Sequence, residues 1–394
     1  MIVFFILRNI KMSSDPDTDN ELSDNSEYED EISIDKEISE LEDSTKPRTV
    51  IFKTFYWKFE DTEDGTLEIH IAGRTADNKS VHCIVQNFTP FVYLELPKRI
   101  RWDKAKCLAV FNYFQKIMKS EGPLSMQLLR KYRLKYKKLI NTIRMTFPTQ
   151  KAAASIGSRC RNSRNGFSID GVGFFKAGEI IVHEINIDPI LKFTASKKLK
   201  LASWVSAKET IRGEDQGLSI EDRKYSTADI DLYADWLDVE DWVPPNVIVV
   251  KPVYFSFDIE CNSKNHNSKL PDPTIPENFI FQIAVTYGVD SATHKKHIFS
   301  LFNPHDIKGA DMTRCKIERE LLLKFMAFIQ KVNPDIFYTY NGMKFDWGYI
   351  IARAELNGIY LKFAQITRII GKRAELMKSS WSSSAYGEQE FRYL

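Results

Sequence analysis

The hydrophobic pattern of this 394-residue chain changes its period several times, and each change predicts a different kind of element. From about residue 48, the segments VIFKTFYWKF, LEIHIAG, VHCIVQNF and FVYLELP alternate apolar and polar residues at short spacing, which predicts an antiparallel β-meander. Apolar residues at helical spacing predict a helix over 103–121. Further strands are predicted at GVGFFKAG and EIIVHEINID, and the acid-rich segment 213–245, which ends in two prolines, is predicted to be a connector at a domain boundary.

A second pattern begins at about residue 247. The segments VIVVKPVYFSFDIE, FIFQIAVTYGV and KKHIFSLF predict three strands, and IERELLLKFMAFIQKV predicts a one-sided helix that Asn333 and Pro334 end. DIFYTY predicts a fourth strand, an Asn-Gly pair turns the chain, and FDWGYIIARAEL predicts another helix. Three antiparallel strands followed by a crossover to a fourth predict a sheet with helices packed on it.

Charge is distributed unevenly along the chain. Residues 13–46 carry 14 acidic residues against two lysines, a net charge of −12, whereas residues 47–394 carry a net charge of +12. The acidic segment cannot bury enough apolar surface to offset the entropy lost on ordering, so 1–46 is predicted to be a disordered acidic tail. An acidic tail on a basic body is common in nucleic-acid-binding proteins, although solvation of the tail explains its acids equally well.

Cysteine and membrane patterns exclude some classes of protein. The five cysteines are scattered and contain no Cys-x-x-Cys pair, so they indicate neither a disulfide framework nor a zinc site, and reduced intracellular thiols are the prediction. The apolar run at residues 2–7 is too short to span a bilayer. No membrane partner is therefore predicted.

The stretch LLRKYRLKYKKLINTIR interleaves seven basic residues with Tyr132 and Tyr136. Its cations are suited to phosphates and its tyrosines to stacking on the bases of a single strand. A charged solvent-facing surface whose tyrosines pack inward explains the same pattern, and the sequence leaves both interpretations open.

Two carboxylates mark the end of the strand FSFDIEC. Asp258 and Glu260 are two residues apart, so both side chains point to the same face and are able to share a cation. Asp346 follows the fourth predicted strand at the first turn of a helix, and ligands of such sheets collect at the carboxyl ends of strands. Hard oxygen ligands favour magnesium or manganese. The alternative is an ordinary solvated pair of acids at a strand end.

The two segments FSFDIEC and YNGMKFD resemble the first and second exonuclease motifs of family B DNA polymerases, especially the delta type of eukaryotes and large DNA viruses. The intervening segments NFIFQIAV, IERELLLKFMAFIQKVNPDI and WGYIIARAEL resemble family segments in the same order, as does MKSSWSSSAYGEQE after them. Upstream, IHIAGRTADNKSVHCIVQNFTPFVYLELP and VHEINIDPILKFTASKKLKLASW are similar to the family's N-terminal domain. The resemblance covers essentially residues 47–394.

The resemblance implies roles for individual residues. Asp258, Glu260 and Asp346 are expected to be the metal-binding and catalytic carboxylates of a 3'-5' proofreading site. Asn341 and Phe345 are expected to bind the single-stranded 3' end of DNA. The implied cofactor is Mg²⁺ or Mn²⁺, with two ions in the complete family site performing phosphodiester hydrolysis.

The resemblance also implies a fold class and a domain organisation. The fold class expected of the chain is α/β and α+β, with the disordered tail at 1–46 followed by a β-rich N-terminal domain at 47–245. An incomplete ribonuclease H-like exonuclease domain of the DEDD type is expected at 246–394. The third exonuclease motif, Tyr-x-x-x-Asp, and the polymerase motifs of the palm are not found in the sequence, and the Tyr386 to Glu390 spacing is attributed to chance. These residues are therefore expected to be the N-terminal part of a polymerase, cut within the exonuclease domain.

Such a fragment is expected to be nearly inactive by itself. The alternative is a non-catalytic nucleic-acid-binding or assembly module of a split polymerase. The expected partners are DNA, as a single-stranded 3' end or a primer-template, and either a separately encoded C-terminal polymerase part or a sliding clamp. A nuclear or viral-replication location is expected from the resemblance alone.

Overall fold

The computed structural model of the chain describes residues 46–133, 138–162, 166–264, 270–375, 377–383 and 387–393. The predicted acidic tail lies outside these residues except for Lys46, and so does Tyr386. Within the described ranges, every helix is too short or too polar to cross a membrane.

The described residues form a β-rich mixed structure of strands and helices. The strands are β1 Thr49–Asp61, β2 Leu67–Arg74, β3 Ser80–Gln86, β4 Phe91–Glu95, β5 Ser125–Arg133, β6 Lys138–Thr146, β7 Phe167–Ile169, β8 Gly173–Phe175, β9 Ile181–His183, β10 Trp204–Lys208, β11 Ile230–Asp235, β12 Val239–Asp241, β13 Tyr254–Cys261, β14 Ile280–Gly288, β15 Lys295–Leu301, β16 Asp311–Cys315, β17 Ile336–Tyr338, β18 Met377–Ser383 and β19 Gly387–Tyr393. The helices are α1 Lys104–Met118, α2 Gln150–Asn162, α3 Pro189–Lys197, α4 Glu318–Val332, α5 Asp346–Leu356 and α6 Tyr360–Phe363. Short 3-10 turns lie at Lys119–Glu121, Gly213–Asp215, Trp236–Asp238 and Ala364–Ile366.

The first sheet has six strands in the order β11-β3-β2-β1-β10-β12. Strands β1, β2 and β3 form the predicted antiparallel meander. The prediction is wrong for the fourth strand, because β4 leaves this sheet and pairs with β6 and β9 in another one. Alternation alone does not distinguish two adjacent sheets, since it reports only that one face of each strand is buried.

The acid-rich segment 213–245 is not simply a connector. Its strand β11 completes the six-stranded sheet by pairing in parallel with β3, and it buries Leu232 and Ala234. Asp231 accepts hydrogen bonds from the backbone N–H groups of Tyr225 and Ser226 at 2.9 and 2.7 Å. Asp231, one of the acids that suggested a connector, thus satisfies buried backbone donors.

The second sheet has four strands in the order β5-β6-β4-β9, with helices α1 and α2 packed on one face. Helix α1 confirms the prediction for 103–121, since it ends at Met118 and a 3-10 turn follows. The basic stretch that the sequence singled out forms the β5 and β6 hairpin of this sheet, apart from residues 134–137, which lie outside the described ranges.

The third sheet has five strands in the order β16-β15-β14-β13-β17. Strands β13, β14 and β15 are antiparallel neighbours, and β17 returns in parallel beside β13, as predicted. Strand β16 is an additional edge strand that the sequence did not indicate. Helices α4 and α5 contribute to the same core, in which Phe255, Phe257 and Ile259 of β13 are buried. The predicted domain boundary at 245 stays a prediction, and it falls between the end of β12 and the start of β13.

A buried cluster of charges joins the first and third sheets. Asp335, just before β17, accepts hydrogen bonds from Nε of Arg74 at 2.6 Å and from a terminal nitrogen of Arg368 at 2.9 Å. The same carboxylate accepts the backbone N–H of Val253 at 2.7 Å. All three side chains are buried, so the cluster fixes the six-stranded sheet against the start of β17.

A stacked histidine pair lies in the six-stranded sheet, and we expect it to make stability depend on pH. His70 and His82 are buried on neighbouring strands, with Nδ1 of His70 3.2 Å from Nε2 of His82. Burial lowers the pKa of His70 to about 4, although Glu60 acts in the opposite direction, and burial lowers the pKa of His82 well below its ordinary value. Because the unfolded histidines titrate near about 6.5, protons bind the unfolded chain preferentially below that pH.

As the pH is lowered from roughly 6.5 to 4, the free energy of unfolding is therefore expected to fall by up to about 1.4 kcal/mol per pH unit for each histidine. Urea unfolding at several pH values measures this slope. The double variant H70F/H82F keeps the stacked rings and is expected to reduce the dependence of the unfolding free energy on pH. Carboxylates elsewhere contribute equally to the variant and to the unsubstituted protein. An unchanged slope in the variant contradicts the assignment.

Candidate functional site

Strand β13 presents the first two candidate carboxylates on one face. Phe257 and Ile259 are buried, whereas Asp258 and Glu260 between and after them are exposed, as the alternation of a strand requires. Asp258 pairs in register with Ala284 of β14, and Glu260 pairs with Gln282. The two acids therefore stand side by side on the surface of a strand whose opposite face forms the core.

The loop after β17 brings the second motif to the same place. Strand β17 pairs with the first half of β13, with Tyr338 opposite Ser256, so the chain leaves β17 two residues before the level of Asp258. Asn341 has a left-handed backbone conformation with φ +59°, and its carbonyl accepts the N–H groups of Lys344 and Phe345 at 3.0 and 3.1 Å. This tight turn leads directly into helix α5.

The predicted Asn-Gly turn has a steric requirement at its second residue. A Cβ placed on Gly342 would lie 2.1 Å from Oγ1 of Thr339, and Gly342 is buried. Only glycine fits this close approach without displacing the end of β17.

Helix α5 begins with the third candidate carboxylate. Trp347 is fully buried, with its ring 4.8 Å from that of Phe257 on β13 and 5.7 Å from that of Phe337 on β17. This packing places Asp346, the preceding residue, against β13, where its carboxylate accepts a hydrogen bond from the backbone N–H of Ile259. The first turn of the helix is thus fixed by the aromatic core beneath it.

A buried ion pair holds the remainder of α5. Arg353 donates to Glu318 of α4 at 2.6 Å, and Glu318 also accepts the backbone N–H of Ile280 at 2.7 Å. These direct contacts of Glu318 lock α5 to α4 and to strand β14.

The electrostatics of the site come from two adjacent negative groups. Burial and, to a smaller extent, the nearby Asp258 carboxylate together raise the pKa of Asp346 to about 6, while the N–H groups of Asp346 and Ile259 act in the opposite direction. Asp346 is 2% exposed, whereas Asp258 faces solvent. A hard divalent cation would stabilise this pair, in which a buried and a solvent-facing carboxylate repel one another.

The structure brings Asp258 and Asp346 near one another, and Glu260 lies on the same strand as Asp258. Among the residues that the structure describes, no three His, Cys, Asp or Glu side chains lie close enough together to hold a metal ion. Glu260 is exposed on the same face as Asp258, one pair further along the strand. The oxygen donors that are present fit Mg²⁺ or Mn²⁺, and the roles of all three carboxylates stay a prediction.

The two remaining candidate residues lie beside the carboxylate pair. Asn341 is exposed, and Phe345 is half-buried with its ring 5.4 Å from that of Tyr349. The sequence reasoning missed Tyr340, which it included in a strand and which the structure leaves 96% exposed next to Asn341. The alternation of YTY predicted a strand that continues to Tyr340, but the last paired residue of β17 is Tyr338.

Comparison with known proteins places these features in a family. The family model described as "DNA polymerase family B, exonuclease domain" matches residues 180–393, which is more than half of the chain. "DNA polymerase 120R" of Invertebrate iridescent virus 3 is 26% identical over 379 residues, covering 89% of this chain and 32% of that polymerase. The DNA polymerase delta catalytic subunit of Oryza sativa subsp. japonica is 26% identical over 343 residues, covering 82% of this chain and 29% of that subunit.

A solved structure shows the same fold. The family B DNA polymerase from the hyperthermophilic archaeon Pyrobaculum calidifontis matches with a TM-score of 0.56 at 15% identity, over 86% of this chain and 35% of that one. The chain thus spans about a third of the length of the relatives it matches. The match supports the expected mixed α/β fold of a polymerase N-terminal region with a ribonuclease H-like exonuclease domain.

Proposed function

The chain belongs to DNA polymerase family B, and we propose that its residues 246–394 form part of a 3'-5' proofreading exonuclease site. The observation that carries this proposal is the pairing of Asp258 on β13 with Asp346 at the start of α5. Carboxylates from two such elements are the ligands that two-metal phosphodiester hydrolysis requires. In a longer protein with these residues, we propose that the site removes mismatched 3' nucleotides during DNA replication.

Asp258, Glu260 and Asp346 would hold Mg²⁺ or Mn²⁺, with two ions in the complete family site. Bound ions of this kind stabilise the charge that develops on the phosphate and lower the pKa of an attacking water. The exposed position of Asp258 and Glu260 leaves the face of β13 open to a DNA strand.

The residues of the second motif are suited to positioning the DNA strand. The Asn341 amide is exposed at the turn, where it is able to hydrogen-bond the terminal nucleotide. The ring of Phe345 is supported by Tyr349, so it offers a firm apolar surface to a sugar or base. Tyr340, almost fully exposed beside them, is available to stack on an unpaired base.

Removal of one carboxylate is expected to weaken divalent metal binding. Asp258→Asn keeps the size of the side chain but removes the negative charge beside Asp346, so Mn²⁺ affinity is expected to fall at least about tenfold. Titration of the 394-residue chain with Mn²⁺, followed by electron paramagnetic resonance, measures the effect.

The matched control for this titration is Asp306→Asn. Asp306 is exposed and pairs with Arg314 at 2.5 Å, in the segment between β15 and β16. Weak metal binding by the acidic tail is common to all the variants and cancels in the comparison. Equal affinities for Asp258→Asn and the unsubstituted chain would count against the metal site.

For a longer protein with these residues, we also propose polymerisation, binding to a sliding clamp or to a separately encoded polymerase part, and a nuclear or viral-replication location. They are supported by the family to which the chain belongs.

A further inference from the structure

The four-stranded sheet has one face that its helices cover and one that they leave open. Its elements follow in the order β4, α1, β5, β6, α2 and β9, with the short β7 and β8 hairpin inserted before β9. Helices α1 and α2 pack on one face through a single apolar cluster, to which Val92 and Leu94 of β4 belong. Tyr93 lies between these two residues, so its side chain points to the opposite face. We call this opposite side of the sheet the open face.

The open face has both apolar and cationic surface. It contains a cavity of about 600 Å³, whose lining includes Tyr93, Ile140, Ile181 and Ile187. Ile181 and Ile187 are 42% and 40% exposed, and exposed apolar side chains that lie together mark an interaction surface. Nζ of Lys131 lies 5.0 Å from the centre of the Tyr93 ring. A partner that carries both apolar side chains and negative charges therefore fits this face.

The charges around the cavity are mainly positive. Residues 125–146, which contain β5 and β6, include seven Lys and Arg and no Asp or Glu. Two acids from other segments lie at the cavity. Glu95 accepts a hydrogen bond from Arg133 at 2.7 Å, and Glu184 is part of the lining. The hairpin thus carries more positive charge than these acids neutralise, and the excess attracts a negatively charged partner.

Arg144 on β6 is one of the cations whose charge needs a partner. Its guanidinium carbon lies 4.0 Å from the centre of the Phe91 ring. Its Nε is buried and has no hydrogen-bond partner among the residues that the structure describes. Buried donors are usually paired, so this guanidinium group favours the approach of an acceptor.

The chain itself contains a segment of complementary chemistry. Residues 13–45 precede the described part of the chain and contain 14 acidic residues and one lysine. Nine of these acids lie within residues 27–43, the stretch EYEDEISIDKEISELED. The apolar residues interspersed among them are Tyr28, Ile32, Ile34, Ile38 and Leu41. Long runs of like charge are often interaction tails, and this one carries apolar side chains as well.

The acidic segment 13–45 is long enough to reach the open face. Strand β1 begins at Thr49 and has 13 residues, so it spans roughly 43 Å at about 3.3 Å per residue. At its far end, Asp61 accepts the backbone N–H groups of Gln150 and Lys151 at the start of α2. The unit that carries the open face therefore lies about one strand length from the start of β1. The acidic segment spans up to about 110 Å when extended.

We propose that the acidic segment 13–45 binds the open face of the β5-β6-β4-β9 sheet in the same chain. Its carboxylates contact Lys131, Arg144 and the other cations of the hairpin, while its apolar side chains cover Ile181 and Ile187. A covalently linked partner acts at an effective concentration of up to about millimolar, so weak individual contacts suffice.

The contact makes the acidic segment a competitor for this face. Any other polyanion has to displace the segment first, so the segment lowers the affinity of the open face for polyanions, most strongly at low salt. The face belongs to a different sheet from Asp258 and Asp346. The contact is therefore independent of the proposed exonuclease site.

Carbodiimide crosslinking of the 394-residue chain tests the contact directly, because the reagent joins a carboxylate only to an amine that touches it. Peptides from 13–45 are expected to be joined to Lys131 and to other lysines of 125–146. The yield is expected to fall at least about threefold when salt is raised from about 50 to about 500 mM. Mass spectrometry of the digested protein identifies the joined residues.

Lys116 is the matched control within the same crosslinking experiment. It is exposed on α1, on the side of the unit that carries the helices. We expect it to be joined to the acidic segment at least about tenfold less often than Lys131, since no docking surface is proposed there. Equal joining of Lys116 and Lys131, or no joining of 13–45 to 125–146, overturns the proposal.

An equal mixture of isotope-labelled and unlabelled chains shows whose segment occupies the face. Crosslinks within chains of one isotope composition are the expected result. Crosslinks that join labelled to unlabelled peptides in statistical proportion assign the face to the segment of a second copy, and they overturn the proposal.

Charge substitutions in the full chain measure the competition with another polyanion. E29Q/D30N/E31Q removes three acids of the segment and is expected to bind fluorescent heparin about threefold more tightly at low salt. The matched control D238N/E240Q/D241N removes three exposed acids at β12 and changes the net charge equally. It is expected to alter heparin affinity less than about 1.5-fold.

Lys131→Glu, added to both the unsubstituted chain and E29Q/D30N/E31Q, is expected to remove most of the difference between them. Equal gains in heparin affinity from the two triple variants, or no gain from E29Q/D30N/E31Q, contradict the proposal. These measurements need neither a metal ion nor hydrolysis, so their outcome does not depend on the proposed exonuclease site.

Discussion

A polypeptide of these 394 residues is expected to hydrolyse single-stranded DNA at least about a hundredfold more slowly than a family B polymerase whose exonuclease site has four carboxylates. The candidate carboxylates are Asp258, Glu260 and Asp346, and two-ion hydrolysis requires both ions to be held at once. Three carboxylates offer such a pair of ions fewer ligands than four do. Degradation of a labelled single strand with Mg²⁺, followed over long incubations, measures the rate.

Asp258→Asn is expected to remove the hydrolysis that remains, and Asp306→Asn is expected to leave it unchanged. Fast, magnesium-dependent degradation that Asp258→Asn abolishes would contradict the slow rate while supporting the site itself. Salt-dependent binding to the strand with no turnover would favour the alternative of a non-catalytic nucleic-acid-binding or assembly module.

Asp335→Ala is expected to destabilise the protein by about 3 to 5 kcal/mol, because it leaves two buried guanidinium groups without their shared carboxylate. Arg74 and Arg368 both donate to Asp335, and the backbone N–H of Val253 loses its acceptor as well. The contacts that are lost lie at the junction of the six-stranded and five-stranded sheets. Urea unfolding monitored by tryptophan fluorescence and circular dichroism measures the change.

An exposed ion pair serves as the control for this substitution. Asp306 pairs with Arg314 at 2.5 Å while its side chain is 80% exposed, so Asp306→Ala is expected to cost less than about 1 kcal/mol. Burial is the property that differs between the two sites. Similar losses for both substitutions would show that the Asp335 cluster contributes no more than a surface pair.

Local patterns carried most of what the sequence predicted about the candidate site. Alternation along β13 put Asp258 and Glu260 on one face, and the structure shows both exposed there. The sequence also predicted the one-sided helix α4 and the strand β17 after it. Because α5 follows β17 in the chain, Asp346 had to lie beyond the end of that strand. These inferences succeeded because each depends on residues near one another in sequence.

The features that the sequence did not reveal depend on distant pairing. Strand β11 joins β3 across roughly 150 residues, and nothing local to Leu232 indicates this partner. Arg74 and Asp335 are 261 residues apart. The distances between the side chains of Asp258, Glu260 and Asp346 are likewise not specified by the spacing of a motif.

The charge cluster at Asp335 and the candidate site are the two ends of one short segment. Asp335 is anchored by Arg74 of the six-stranded sheet, and Asp346, eleven residues later, is anchored by the backbone of β13. Between them lie a paired strand, a turn in which Gly342 tolerates no side chain, and the start of a helix packed through Trp347. A shift of the N-terminal sheet is therefore expected to reach the carboxylates along this segment. Substitutions at the sheet junction would then displace the candidate carboxylates while every residue of the candidate site stays the same.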